Sequence, residues 1–198
     1  TVRKIDPSNM TEVGSFSGHS DAITSLSFGN GFLFSTGAGF VDFQGNPSGD
    51  LSLRKIDPAT MSELDISSEN VVNINASEVI NGNVFLLDSD FNTPRVQKFD
   101  ISDMSLVSQT GVGSFVEVGN MTKDLNGSLY VPIRSNGTVE KIDSSDLTVQ
   151  DTFSDNTFGF DVVSNNPTVD NIFYVAGKNN GIVTIFKINS SDMTTIID

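Results

Sequence analysis

The 198-residue chain has no cysteine, no tryptophan and a single histidine, His19. Without cysteine there are no disulfides and no thiolate metal sites, and thiol usage says nothing about compartment. Basic residues are scarce: 11 Lys plus Arg stand against 25 Asp plus Glu, for a formal net charge of −14. Such a chain repels phosphate backbones and anionic lipid, which argues against nucleic acid and bare membrane surfaces as partners. No apolar run approaches the roughly 18 residues of a membrane-spanning helix, nothing reads as a signal peptide, and no stretch has the pattern of a capped amphipathic helix. The start at Thr1 points to a processed or truncated product. Hydrophobic residues are 37% of the chain, enough for a folded domain.

What is present is a repeat, the feature to look for first because it decides the fold. Val-Arg-Lys-Ile-Asp at 2–6 returns as Leu-Arg-Lys-Ile-Asp at 53–57, Val-Gln-Lys-Phe-Asp at 96–100, Val-Glu-Lys-Ile-Asp at 139–143 and Ile-Phe-Lys-Ile-Asn at 185–189. The spacings between copies are 51, 43, 43 and 46 residues. Five of the seven lysines (Lys4, Lys55, Lys98, Lys141 and Lys187) sit at this one position, and Asp6, Asp57, Asp100, Asp143 and Asn189 close the motif. A second element follows each copy: a polar turn, then Met10, Met61, Met104, Leu147 or Met193. The period of two puts Val2, Lys4 and Asp6 on one strand face and Arg3 and Ile5 on the other. The expectation is that the Lys stem covers apolar surface while its ammonium reaches the Asp two residues on. Asp, Asn, Ser and Pro supply turn chemistry, and the Met or Leu anchors the next strand to the core.

Two more strands fit between copies. Near-continuous apolar runs at 32–34, 84–87, 129–131 and 172–175 read as strands buried on both faces. Weaker runs at 22–28, 78–80, 121–125 and 158–163 precede them, and Asn-Gly pairs at 30–31, 81–82, 126–127, 136–137 and 180–181 punctuate the links. Four short antiparallel strands per 40–50 residues is the arithmetic of a propeller blade. The expected fold is therefore all-β: a β-propeller of four-stranded antiparallel blades, a single domain or a propeller fragment over 1–198, with blade periods starting near 4, 55, 98, 141 and 187. The chain opens and closes on the same half-repeat, which gives about four and a half blades. Pro132, at the end of a run read as a central strand, implies a bulge or a misplaced boundary.

These repeats resemble the YVTN and NHL-like propeller families, most closely in Ser128-Leu129-Tyr130-Val131 followed by Asn136-Gly137-Thr138-Val139-Glu140-Lys141-Ile142-Asp143. Residues 18–28, opening Gly18-His19, together with Leu53-Arg54-Lys55-Ile56-Asp57, resemble one WD40 blade. Ile56 stands where WD40 has Trp, and no other repeat carries the Gly-His pair. The WD40 resemblance implies a structural hydrogen-bonding role for His19. The absence of Trp counts against the quinoprotein propellers, whose blades dock through it.

Few side chains offer chemistry. His19 as a general base would need a nucleophile or carboxylate beside it. No nucleophile elbow accompanies it, and Gly37-Ala38-Gly39 lacks the Lys and helix of a phosphate loop. Asp88, Asp90 and Asn92 have the spacing of a calcium-loop opening, though Thr93 and Phe99 stand where Gly and Glu belong. Asp42, Asn46 and Asp50 make a looser cluster. Glycosylation sequons occur at Asn9, Asn75, Asn120, Asn126, Asn136 and Asn189; Asn136, Asn126 and Asn75 are the candidates, usable only in an exported protein. The expected function is a non-catalytic binding or structural module on a cell or virion surface, with no cofactor beyond Ca²⁺ at 88–92. Its partner is a protein, either self or another chain completing the propeller, or a glycan. Two alternatives stand: part of a metal-dependent lyase or lactonase drawing Glu78, Glu117, Asp124 and Asp161 from inner strands, or a WD40-like intracellular hub.

Overall fold

The computed structural model describes residues 1–41, 44, 46–89, 93–112, 117–155, 159–165, 171–179 and 181–196. No helix occurs among them. The chain divides into two compact units: Thr1–Asp88 with Lys98–Val107, and Ser89–Gln97 with Ser108–Asp198.

The first unit begins with a two-stranded sheet of β1 (Val2–Asp6) and β2 (Thr11–Phe16). The first full blade follows: β3 (Ile23–Gly29), β4 (Phe32–Gly37), β7 (Leu53–Asp57) and β8 (Ser62–Ile66), hydrogen-bonded in that order. The small ribbon β5 (Phe40–Val41) and β6 (Pro47–Ser48) interrupts it. The second blade pairs β9 (Ile74–Ile80), β10 (Asn83–Asp88), β11 (Arg95–Asp100) and β12 (Leu106–Gly111), also in sequence order. In the second unit, β13 (Thr122–Lys123), β14 (Ser128–Ile133), β15 (Thr138–Asp143) and β16 (Val149–Ser154) form a third blade. A fourth comprises β17 (Gly159–Asn165), β18 (Ile172–Asn179), β19 (Ile182–Asn189) and β20 (Thr194–Thr195).

Local chemistry sets these meanders. Asn30–Gly31 and Asn81–Gly82 have positive φ at both residues and close the β3–β4 and β9–β10 hairpins as two-residue turns, the primed geometry that matches strand twist. Three outer pairs carry a bulge just after the repeat lysine: Val13, Leu64 and Gln150 are the extra residues opposite Lys4/Ile5, Lys55/Ile56 and Lys141/Ile142.

Pro132 lies inside β14, opposite Val139 of β15. Its carbonyl accepts from Gly119 N at 2.9 Å, on the β13 side. A residue's N–H and C=O point the same way in a strand, so the donor that proline lacks is missing on that side too. Opposite that gap β13 begins only at Thr122, and at its other end Gly127 N donates to the Asp124 carbonyl (3.3 Å) as the chain turns, so β13 spans two residues rather than the 121–125 read from the sequence.

The core lies between blades. In the first unit Val2 and Phe16 of the β1–β2 sheet pack on Ile56 and Met61. Phe34 and Leu53 of the first blade pack with Val84, Leu86, Phe99 and Met104 of the second. In the second unit Tyr130, Val139 and Phe153 of the third blade meet Phe160, Phe173, Ile188 and Met193 of the fourth. One set of repeat positions faces forward (Val2, Leu53, Val139) and another backward (Ile56, Ile188, Met61, Met193). Each of these three interfaces joins a forward face to a backward one.

Candidate functional site

The five-copy motif is a turn and a clasp. Asp6 Oδ1 accepts from the backbone N and hydroxyl of Ser8 at 2.9 and 2.8 Å, and Asp100 and Asp143 repeat the pattern with Ser102 and Ser145. Asp57 accepts from Ala59 N at 2.7 Å, and Asn189 from Ser191 N at 2.9 Å. These donors hold the carboxyls of Asp6, Asp57 and Asp100 below the usual carboxylate range. Four residues on, the Met or Leu amide donates back to the carbonyl of the motif's acid, as Met10 to Asp6 (2.8 Å) and Met104 to Asp100 (2.9 Å). All five residues at this position are left-handed, with φ between 52 and 63°, a conformation that normally favours glycine or asparagine.

In three copies the lysine does not reach the Asp two residues on. Lys4 Nζ donates to the Pro58 carbonyl (3.0 Å), Lys55 to that of Ile101 (2.9 Å) and Lys141 to that of Ser190 (2.8 Å). Each acceptor directly follows the acid or amide of the next copy, so the lysine ties one blade to the turn of its successor. Lys55 and Lys98 also lie over the rings of Phe32 and Phe85, 4.3 and 5.9 Å from the centroids. Lys187 occupies the same position at the end of the series.

His19 takes the structural role that the WD40 resemblance implied. Its Nδ1 is 2.8 Å from Asp50 Oδ2 and its Nε2 is 2.7 Å from Ser35 Oγ. A carboxylate can only accept, so Nδ1 carries the proton and Nε2 accepts from the Ser35 hydroxyl. Ser20 N and Ser52 N also donate to Asp50, at 3.0 and 3.1 Å; Ser52 Oγ donates as well, and Arg54 Nε donates to Ser52 Oγ (2.9 Å). Burial depresses the His19 pKa below that of a free imidazole, Asp50 opposing it. Burial alone would raise Asp50, but donors from Ser52, Ser20 and His19 outweigh it and the carboxyl stays low. Ser35, His19 and Asp50 thus stand in the order of a hydrolytic triad, yet all three side chains are sealed from solvent.

The sequence had put Asp50 in a loose acidic cluster; it is instead committed to His19. A Cβ on Gly37 or Gly39 would collide with Asp50, at 2.5 and 2.8 Å from its carbonyl oxygen, so this Gly-x-Gly lets the Asp50 loop lie against the end of β4. Asp42 lies outside the described residues.

The remaining candidates stay dispersed. Asp88 is buried at the end of β10, and Asp90 and Asn92 lie outside the described residues. Asn75, Asn126 and Asn136 are exposed, on β9 and in two turns. Asp124 accepts from Tyr130 Oη (2.9 Å) and Ser128 N (2.8 Å), and burial pushes the phenol pKa well up. Glu117 pairs with Arg134 at 3.0 Å on the surface, Glu78 is half-buried, and the Asp161 side chain lies outside the described residues. No three His, Asp or Glu side chains converge as a metal site among the described residues. An open cleft of about 550 Å³ lies beside the two Asn-Gly hairpins of the first unit, lined by Asn30, Phe32, Lys55, Asn83, Asp100 and Ser102; its lysine already serves the clasp.

Two bare faces stand out against the repeat. On the forward face of the fourth blade Ile185 is 68% exposed, where its counterparts Leu53 and Val139 are 0%. Tyr174, opposite Lys187, is 37% exposed, where Phe34 opposite Lys55 and Tyr130 opposite Lys141 are 0%. Val183 adds to this face. On the backward face of the β1–β2 sheet Ile5 is 41% and Met10 78% exposed, positions buried in Ile56, Ile188, Met61 and Met193.

No protein-family model and no curated protein sequence matches the chain. Solved structures do. The computationally designed Ika4 protein matches at TM-score 0.64 and 17% identity over 88% of this chain and 96% of its own. Hydrazine synthase of Kuenenia stuttgartiensis matches at 0.70 and 13%, over 92% of this chain and 49% of that one. The Cps50 (Swd1) β-propeller domain of Myceliophteria thermophila matches at 0.68 and 14%, over 93% and 57%. The chain has the β-propeller fold. It spans about half the length of the latter two proteins.

Proposed function

We propose that the chain is a non-catalytic structural module that binds protein through its bare blade faces. One observation carries this reading: repeat positions fully buried elsewhere are open at Ile185, Tyr174, Ile5 and Met10. Contiguous apolar side chains of this kind mark protein contacts, and Ile, Val and Met suit a protein partner better than a hydroxyl-rich glycan. The polar constellations support the same reading, since the repeat acids, the repeat lysines and the His19 network are all spent on holding turns, blades and loops. We place the module in an exported or virion-borne assembly, which its acidic, lysine-poor composition suits.

The test is site-specific photo-cross-linking in the native extract. A benzophenone side chain at position 183, on the forward face of β19, should cross-link to protein. The same group at position 136, in the exposed β14–β15 turn, should not. Equal yields at the two positions, or none at 183, would overturn the proposal.

A further inference from the structure

We propose that the open cleft between the first two blades is a saccharide-binding site. One sugar hydroxyl lies between the Lys55 ammonium and the Asp100 carboxylate, and the amides of Asn30, Asn81 and Asn83 take its neighbours. The site uses none of the bare-face residues, so it stands or falls separately from the protein-binding reading. Its walls all belong to the first unit and are held in place by the chain itself. They meet at the buried Ile101. Its amide donates to the Gly82 carbonyl of the β9–β10 hairpin (3.1 Å), and its carbonyl accepts from Lys55 Nζ (2.9 Å). A Cβ on Gly29 would collide with the Val79 side chain, so β3 presses on β9 and sets the separation of the two Asn-Gly hairpins. A Cβ on Gly31 or Gly82 would meet nothing within 4 Å, so the hairpin tips face open space. The cleft volume, about 550 Å³, falls within the roughly 300–1,000 Å³ of small-molecule sites, and rigid walls lower the ordering cost of binding.

The choice of ligand follows from the polar groups. Holding the clasp and the turn takes one N–H of Lys55 and one oxygen of Asp100. An ammonium has three N–H donors and a carboxylate two oxygens, so both groups have hydrogen bonds left to make. They are close enough for the Lys55 charge to act on the Asp100 carboxyl. That pairing selects against free ions. A metal cation meets the Lys55 ammonium, while an inorganic anion meets the Asp100 carboxylate and a chain of net charge −14. A hydroxyl suits both groups, accepting from the ammonium and donating to the carboxylate, and each bond is charge-assisted. A side-chain amide is also both donor and acceptor, which matches a ligand with hydroxyls on successive carbons. Asn83 Nδ2 donates to the Asn81 carbonyl (3.1 Å), which orients that amide. An amino-acid zwitterion would satisfy Lys55 and Asp100 but leave the three amides unmatched. Lys55 Nζ lies over the Phe32 ring, 4.3 Å from its centroid, so recognition here is by hydrogen bonds rather than by stacking on that ring.

The experiment is two-dimensional amide NMR of the isotope-labelled chain. It is titrated in turn with cellobiose, maltose, lactose and diacetylchitobiose, and with glycine as the zwitterion. Gly31 and Gly82 report on the cleft, and Gly127 and Gly181 sit in Asn-Gly turns elsewhere. At least one disaccharide should shift the first pair saturably and leave the second pair in place. Asp100→Asn keeps an oxygen to cap the turn, as Asn189 does with Ser191 N (2.9 Å). It should weaken binding about tenfold through the loss of one charge-assisted hydrogen bond. Asn83→Ala, which leaves the turn and the clasp alone, should weaken it several-fold. Asp143→Asn, at the same repeat position in the third blade, should bind like the wild type. The proposal is overturned if no sugar shifts Gly31 and Gly82 at the limit of its solubility, or if Gly127 and Gly181 shift as much. It is also overturned if Asp100→Asn and Asn83→Ala bind as the wild type does. Saturable shifts with glycine and none with the sugars would replace it with a zwitterion site.

Discussion

The left-handed residue of each turn allows backbone and side-chain energies to be separated with two substitutions. Met10 and Met104 have φ of 58 and 57°, and each amide closes the same four-residue hydrogen bond. Both lie in the first compact unit. They differ in burial: Met104 is fully buried among Phe99, Leu86 and their neighbours, while Met10 is mostly exposed. A left-handed residue other than glycine costs about 1–2 kcal/mol, and glycine gives back about 0.5–1 kcal/mol through the freedom it adds to the unfolded chain. Met10→Gly should therefore range from neutral to about 1.5 kcal/mol more stable. Met104→Gly has the same backbone gain but loses a buried methionine side chain, worth about 2–5 kcal/mol.

The difference between the two variants cancels the backbone effect and leaves the burial of one methionine. For a chain of this size, about 2–4 °C of melting temperature corresponds to 1 kcal/mol. The two melting temperatures should thus lie on the order of 4–20 °C apart, Met104→Gly the lower. The assay is thermal denaturation followed by far-ultraviolet circular dichroism. Equal losses in the two variants would refute the reasoning, because burial of the Met104 side chain would then add nothing to the backbone effect the two sites share.

Three further outcomes follow from the polar contacts. Lys141→Met keeps the apolar stem but removes the donor to the Ser190 carbonyl; at a half-buried site this should cost about 1–2 kcal/mol in melting experiments, whereas Lys178→Met, exposed and outside the motif, should stay within about 0.5 kcal/mol. His19 has its pKa lowered by burial, so the unfolded chain binds the extra proton; the stability it contributes is complete above about pH 6.5 and is lost as the pH falls from there. The melting temperature of the wild type should accordingly fall between pH 7 and pH 5 more steeply than that of His19→Gln, and parallel slopes would contradict the assignment. Glu140 has its pKa raised by burial, and its Oε2 has no hydrogen-bond partner; here the folded chain binds the extra proton and stability is lost as the pH rises. Glu140→Gln should be more stable than wild type at pH 7, with the advantage shrinking toward pH 4.

The parts of this fold legible in the sequence are those decided by neighbouring residues. An Asp that caps the amide two residues on, and Asn-Gly at 30–31 and 81–82, need no tertiary partner, so the turns, hairpins and blade period could be read directly. The lysine was misread because its acceptor lies 54, 46 or 49 residues away, in the next copy; a strand pattern gives a side chain's face but not what lies across from it. The Met position was read correctly as apolar and, in every copy but Met10, buried, but not as left-handed, because an apolar residue carries no local mark of that conformation. His19 was placed in a structural role by its Gly-His setting, while Asp50, 31 residues on, could be joined to it only by the path of the first blade. The bare faces have no local signature, since Ile185 reads like Leu53 and Val139 and differs only in having nothing stacked on it.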